Sequence, residues 1–131
     1  MASIFTKIIR GEIPSYTVAE TETCIAFLDV FPLVEGHTLV VPKQEIDSLF
    51  DLDQAMYSDL LLFSKQVAEA IKKSVPCKKV GVAVVGLEVP HAHIHLIPIN
   101  KVSDMNFANQ KISLAADKLA AIQQIIRSNF K

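Results

Sequence analysis

Residues 91–95 read His-Ala-His-Ile-His, so three of the chain's four histidines recur at every second position. The positions between and after them, Ala92, Ile94 and Leu96, are apolar. A period of two belongs to a β-strand, whose side chains alternate between faces. Residues 91–97 are therefore predicted to form a half-buried strand, with three imidazoles on one face and Ala92, Ile94 and Leu96 directed into a core. A row of imidazoles on a rigid strand suits acid–base, nucleophilic or metal chemistry. It does not suit a single three-histidine metal site. Strand rise is ~3.3 Å per residue, which separates His91 from His95 by ~13 Å, whereas zinc–nitrogen bonds are ~2.0–2.1 Å. Two neighbouring histidines could still ligate a metal with help from other elements. The plainest alternative is three polar residues on a solvated sheet face; the lack of Lys, Glu, Thr or Ser among them speaks against it.

The remaining periodicities place the strand in a fold. Residues 3–10 read as a short helix stopped by Gly11, with a turn at Pro14 and Ser15. Residues 16–20 and 23–29 read as a strand pair, the second almost wholly apolar and expected to be central. After a loop from Pro32 to Gly36, Thr38 to Val41 reads as a third strand ended by Pro42. Over 51–75, Leu52, Met56, Leu60, Phe63, Val67 and Ile71 step by three or four, which predicts a long amphipathic helix. Asp51 and Asp53 at its start and Lys72 and Lys73 at its end suit the helix dipole, and Pro76 stops it. Residues 79–85 read as a fourth strand and 112–129 as a final helix, with Ala115, Leu119, Ile122 and Ile126 on one face. Strands that follow one another in pairs, instead of alternating with helices, predict an antiparallel α+β sheet with helices on one face.

Composition narrows the setting. The length of 131 residues suits one domain with a real core. A net charge of -1 argues against nonspecific binding to nucleic acid or to an anionic membrane. Cys24 and Cys77 give neither a disulfide framework nor zinc-knuckle spacing. Lys7 and Arg10 interrupt the N-terminal apolar residues, so no signal peptide is expected, and no apolar run approaches the ~18–20 residues of a membrane span. A cytoplasmic location follows as the expectation.

With the histidine strand placed, the chain resembles the histidine triad (HIT) superfamily, on its Hint-like branch. The family signature is His-φ-His-φ-His-φ-φ, with φ hydrophobic, and here it reads His91-Ala92-His93-Ile94-His95-Leu96-Ile97. Two upstream blocks match as well: residues 4–14, and the stretch from Ala26-Phe27-Leu28-Asp29 through Pro32 to Gly36-His37-Thr38 and Lys43. The resemblance covers roughly residues 4–100 and implies one HIT-like domain over residues 1–131. It implies a five-stranded antiparallel sheet with a long central helix and a C-terminal helix, dimerising into a ten-stranded sheet. It further implies hydrolysis or transfer at the α-phosphate of a purine nucleotide, with a purine nucleoside phosphoramidate as the typical substrate.

Carried over by position, the resemblance makes His93 the nucleophile that forms a nucleotidyl-histidine intermediate. His95 becomes a phosphate contact and leaving-group proton donor. His91 supports the nucleophile, its backbone carbonyl fixing the tautomer of His93. His37 matches a fourth histidine beside the triad; read alone it is a turn-proximal surface residue. Asp29 matches the carboxylate that takes the ribose hydroxyls; read alone it is as much a strand-end cap. Phe5, Phe27, Leu28, Val30 and Leu39 match the base and ribose pocket; read alone they are core.

The chain also departs from the family. Relatives usually carry a longer glycine-rich loop before the triad, with an Asn near its start and Gln-Ser or Gln-Thr near its end. Residues 84–90 here read Val-Val-Gly-Leu-Glu-Val-Pro, so Val84 or Val85 takes the Asn position and Glu88 falls where the hydroxyl would meet phosphate or leaving group. A carboxylate there repels phosphate unless it is protonated, turned away, or binding a cationic leaving group. Some relatives hold structural zinc through a Cys-x-x-Cys; Ser3 and Thr6 stand at those positions and Glu45 where a histidine would ligate, so no metal or other cofactor is expected. A dinucleoside polyphosphate hydrolase, a purine-nucleotide-binding module with little turnover, and a metalloprotein using His37 with two triad histidines are the alternatives.

Overall fold

The computed structural model describes residues 2–131. Helix α1 (Ile4–Ile9) begins where the Ser3 hydroxyl accepts from the Thr6 amide. Strands β1 (Thr17–Glu20), β2 (Cys24–Leu28) and β3 (Thr38–Pro42) follow. Helix α2 (Gln54–Ser74) precedes β4 (Lys79–Ala83) and β5 (Ile94–Ile99), and α3 (Ala116–Asn129) closes the chain. The strands form one antiparallel sheet in the order β1-β2-β3-β5-β4. Strand β2 has neighbours on both sides, and β3 lies at the centre. No helix among the described residues is long and apolar enough to cross a membrane.

The sheet has two apolar faces because two sets of side chains alternate along β2 and β3. Ala26, Leu28, Val40, Ile94 and Leu96 pack beneath Leu60, Phe63, Val67 and Ile71 of α2 and Leu119, Ile122 and Ile126 of α3. Ile25, Phe27, Leu39 and Val41 point the other way and pack with Phe5, Ile8 and Ile9 of α1. The expectation of helices on one face therefore holds for α2 and α3 but fails for α1, whose Phe5 needs the opposite face. Pairing across β2, β3, β5 and β4 aligns Phe27, Leu39, His95 and Ala83 in one transverse row on that side.

Several predicted boundaries shift for local reasons. Helix α2 starts at Gln54, not at residue 51, because the Asp53 side chain caps the Met56 amide; Leu49–Asp51 form a separate 3-10 turn. Strand β4 stops at Ala83, leaving Val84 and Val85 outside it, and α3 starts at Ala116 instead of 112. The predicted strand over 91–97 is ordered as a strand only from Ile94. Pro42 has no N–H and ends the ladder on the β3 side. The amides of His91 and Ala92 bond instead to the carbonyls of Val89 and Ile46. His91 and His93 thus sit on a braced loop at the mouth of the strand.

Candidate active site

The α1 face of the sheet carries a cleft of about 500 Å³. His37, His93, His95, Phe5, Phe27, Leu28, Asp29, Val30, Leu39 and Glu88 all line it. Of the predicted site residues only His91 stays behind the wall, fully buried. Leu28 belongs both to the cleft and to the core under α2, and Val30 is half exposed at the rim.

Hydrogen bonds fix the proton on each imidazole. His91 Nε2 lies 2.9 Å from the Pro42 carbonyl. A carbonyl only accepts, so Nε2 carries the proton, and Nδ1 receives the Ser3 hydroxyl at 2.8 Å. Burial, ahead of every other influence, lowers the His91 pKa and keeps this neutral tautomer. The His91 carbonyl accepts in turn from His93 Nδ1 at 2.7 Å. His93 Nε2 is left with a free lone pair, and the ring lines the cleft. Phe5 meets the His93 ring edge-on at 4.9 Å and sets its plane.

A second chain runs to His95 with the opposite polarity. The Leu33 amide donates to His37 Nδ1 at 3.0 Å, so His37 carries its proton on Nε2. That proton is directed at His95 Nδ1, 2.9 Å away, and His95 in turn keeps its own proton on Nε2. Burial, followed by the charges of His95 and Lys111, lowers His37 to about 3. Burial, followed by His93 and Lys111, lowers His95 to about 4. Both rings are neutral at pH 7. With ring centroids of His93 and His95 5.0 Å apart, a lone pair and an N–H stand side by side in the cleft.

Asp29 is the strand-end cap that its position allows, with its second oxygen left toward the cleft. Oδ1 accepts from the Phe31 amide at 2.9 Å and caps the end of β2; Oδ2 lies 3.8 Å from His37 Nε2, beyond hydrogen-bond reach. Since His37 is neutral, the two do not form an ion pair, and burial raises the Asp29 pKa. Glu88 is exposed at the rim.

Comparison with known proteins decides what this arrangement belongs to. The HIT domain family matches residues 10–102. An uncharacterised HIT-like protein of Borreliella burgdorferi is 35% identical over 134 residues, covering 96% of each chain. The adenosine 5'-monophosphoramidase of Schizosaccharomyces pombe is 30% identical over 133 residues, covering 100% of each chain. The crystal structure of a Hit-like protein involved in cell-cycle regulation from Bartonella henselae superposes with a TM-score of 0.85 at 31% identity, over 97% of this chain and 95% of that one. The chain belongs to the HIT family.

Among the residues that line the HIT cleft and escaped the sequence reading are Phe107 and Lys111. Both lie beyond the family-matched region. The Phe107 ring stands edge-on to His95 at 4.9 Å and to His37 at 6.4 Å, shielding the bond between them. No periodicity marks this segment; an aromatic and a lysine in a polar loop were the only signal.

Two groups of side chains bear on metal binding. Asp29, His37 and His95 offer ligand atoms within 4.8 Å of one another. These are not His37 plus two triad histidines, and a metal would have to displace the proton that His37 and His95 share. Ser3, Thr6, Glu45 and His91 also converge. The Glu45 carboxylate accepts from the Ser3 amide and the Thr6 hydroxyl, which holds its pKa down at about 2. Two hydroxyls and a carboxylate already bonded to one another suit a hydrogen-bond network and fit zinc poorly.

Proposed function

We propose that this HIT protein is a purine nucleoside phosphoramidase that works through a nucleotidyl-histidine intermediate. One observation carries the reading: the His91 carbonyl accepts a hydrogen bond from His93 Nδ1–H and leaves Nε2 free in a nucleotide-sized cleft. His93 Nε2 attacks the α-phosphorus as the P–N bond breaks, and the departing nitrogen takes the Nε2 proton of the cationic form of His95 and leaves as an amine. Water then opens the N–P bond to His93, releasing the nucleoside monophosphate. His95 donates its Nε2–H to a phosphate oxygen in the ground state. Because burial keeps His95 neutral, it can supply a proton only after the bound phosphate anion has favoured its charged form. Phe5, Phe27, Leu39 and Val30 hold the base and sugar, and Asp29 Oδ2 takes ribose hydroxyls.

The test is turnover of adenosine 5'-monophosphoramidate to AMP and ammonia, followed by phosphorus NMR. Rapid conversion by the wild type is expected, with ribose preferred over 2'-deoxyribose. In Asp29→Ala that preference should shrink by about tenfold or more, the loss of a hydrogen bond to a charged acceptor. No turnover of any purine phosphoramidate would refute the reading. Unchanged sugar preference in the variant would leave Asp29 a cap alone.

The protein is also proposed to be a homodimer joined along β4. This edge strand leaves Val82 59% exposed, and Val85 and Leu87 beyond it are 50% and 90% exposed. An apolar edge with free backbone groups invites a second copy. Sedimentation should give twice the 14.4 kDa of one chain; a monomer at micromolar concentration would contradict it. The free thiols of Cys24 and Cys77 and a nucleotide substrate fit the cytoplasm.

A further inference from the structure

The cleft presents a charge problem to any phosphate. Its walls carry two acidic side chains, Asp29 and Glu88. Of its histidines, His37 and His95 are held neutral, by burial above all, and His95 gains charge only from a phosphate already bound. The loop over residues 84–90 contains no Asn, Gln, Ser or Thr to donate from a side chain. Among the described residues that line the cleft, Lys111 is the only lysine or arginine.

Lys111 is held at the site by its own segment. The Asn106 side chain accepts from the Ala108 amide at 2.9 Å, and Asn109 bonds back to the Ser103 carbonyl at 2.7 Å, bracing a tight strap. The Ile112 amide fastens the strap's far end to the Pro32 carbonyl at 2.9 Å. Within it, Lys111 Nζ donates to the Phe107 carbonyl at 3.2 Å. The Phe107 ring packs edge-on against His95, the neighbour of His93, so the ammonium is tethered to a residue that borders the histidine pair. An ammonium has three N–H donors. The tether uses one, and two remain for phosphate oxygens.

We propose that Lys111 is the phosphate-binding cation of this cleft, supplied by the strap after the family-matched region in place of the donors that the short 84–90 loop lacks. The inference rests on the reading of the cleft as a nucleotide site. It makes Lys111 a specificity residue: it favours ligands with more negative charge at and beyond the α-phosphate, and it contributes nothing to recognition of the base or ribose.

Calorimetric titration of the wild type, Lys111→Met and Lys111→Arg with AMP, ADP and adenosine tests this, alongside turnover of adenosine 5'-monophosphoramidate. Lys111 is exposed, so the variants should melt with the wild type. Lys111→Met is expected to weaken AMP binding about ten- to a hundredfold, and ADP binding by more, as a charge-assisted contact is lost. Its affinity for adenosine should stay within about twofold, and Lys111→Arg should recover most of the loss because it keeps the charge. Added salt should weaken AMP binding in the wild type and much less in Lys111→Met. Equal AMP affinities in wild type and Lys111→Met, with the wild type turning over phosphoramidate, would overturn the role of Lys111 and leave the phosphoramidase reading intact. A parallel loss of adenosine affinity would also overturn it, by showing a general collapse of the pocket. Failure of the wild type to bind AMP or turn over any phosphoramidate would overturn both.

Discussion

His93→Ala is expected to lower phosphoramidate turnover by at least about a thousandfold while AMP affinity changes by no more than a few fold. The two effects separate because different atoms carry them. Binding area comes from Phe5, Phe27 and Leu39, which the substitution leaves in place, whereas the lone pair belongs to His93 alone. His95 cannot take over: its Nδ1 is occupied by His37, and its Nε2 carries a proton. Acid–base quenching of the wild type during turnover with labelled substrate should trap a base-stable nucleotidyl adduct, and the variant should yield none. Turnover within tenfold of wild type in His93→Ala, or an adduct of equal yield, would move the nucleophile elsewhere.

Gly36→Ala should be the most damaging single-methyl change next to the site. Gly36 has φ 89°, where L side chains are strained, and it immediately precedes His37. A Cβ there would meet Val75 Cγ2 at 2.9 Å and Pro98 Cγ at 3.1 Å. Neither neighbour can swing aside freely, since Val75 caps α2 and Pro98 lies within β5. Backbone strain of ~1–3 kcal/mol and overpacking of ~1–3 kcal/mol give a loss of roughly 2–6 kcal/mol. The melting temperature should fall by on the order of 10 °C. Displacing His37 removes the partner that orients His95, so turnover per folded molecule should fall as well. Gly11→Ala is the control: φ is 78°, but nothing lies within 4 Å of the added methyl, so only the backbone contribution is lost. Equal losses in the two variants would show that contact with Val75 and Pro98 is unimportant.

What was legible in the sequence was periodicity. The alternation of His91, His93 and His95 with Ala92, Ile94 and Leu96 placed His93 and His95 on the cleft and Ile94 and Leu96 in the core, but it did not show that His91 is buried behind the wall. The pattern could not show that the strand begins at Ile94. That boundary depends on the Pro42 and Ile46 carbonyls, which lie 49 residues from His91 and 46 from Ala92. The stripe of α2 was readable because every third or fourth residue faces one core, and its start was misplaced because Asp51 and Asp53 look alike as caps until one of them bonds. The tautomer of His93 was expected from the resemblance, through the His91 carbonyl; those of His37, His91 and His95 were out of reach of any periodicity, because each is set by a partner distant in the chain or by a backbone group with no residue identity. Phe107 and Lys111 were missed for a related reason. A strap held by its own turns and one bond to Pro32 leaves no repeat in the sequence.

The Ser3 hydroxyl has two roles, capping the first turn of α1 and donating to His91. A helix of six residues does not persist by itself in water. Its lifetime in the closed position is borrowed from Phe5, which lies against the rings of His91, His93 and Phe27. Each transient opening of that helix withdraws the donor from His91 and the aromatic edge from His93 together. Opening of α1 is thus communicated to His93 without any movement of the sheet. A ligand that packs on Phe5 closes the same equilibrium from the other side, so occupancy of the cleft should slow amide exchange in the first turn of α1.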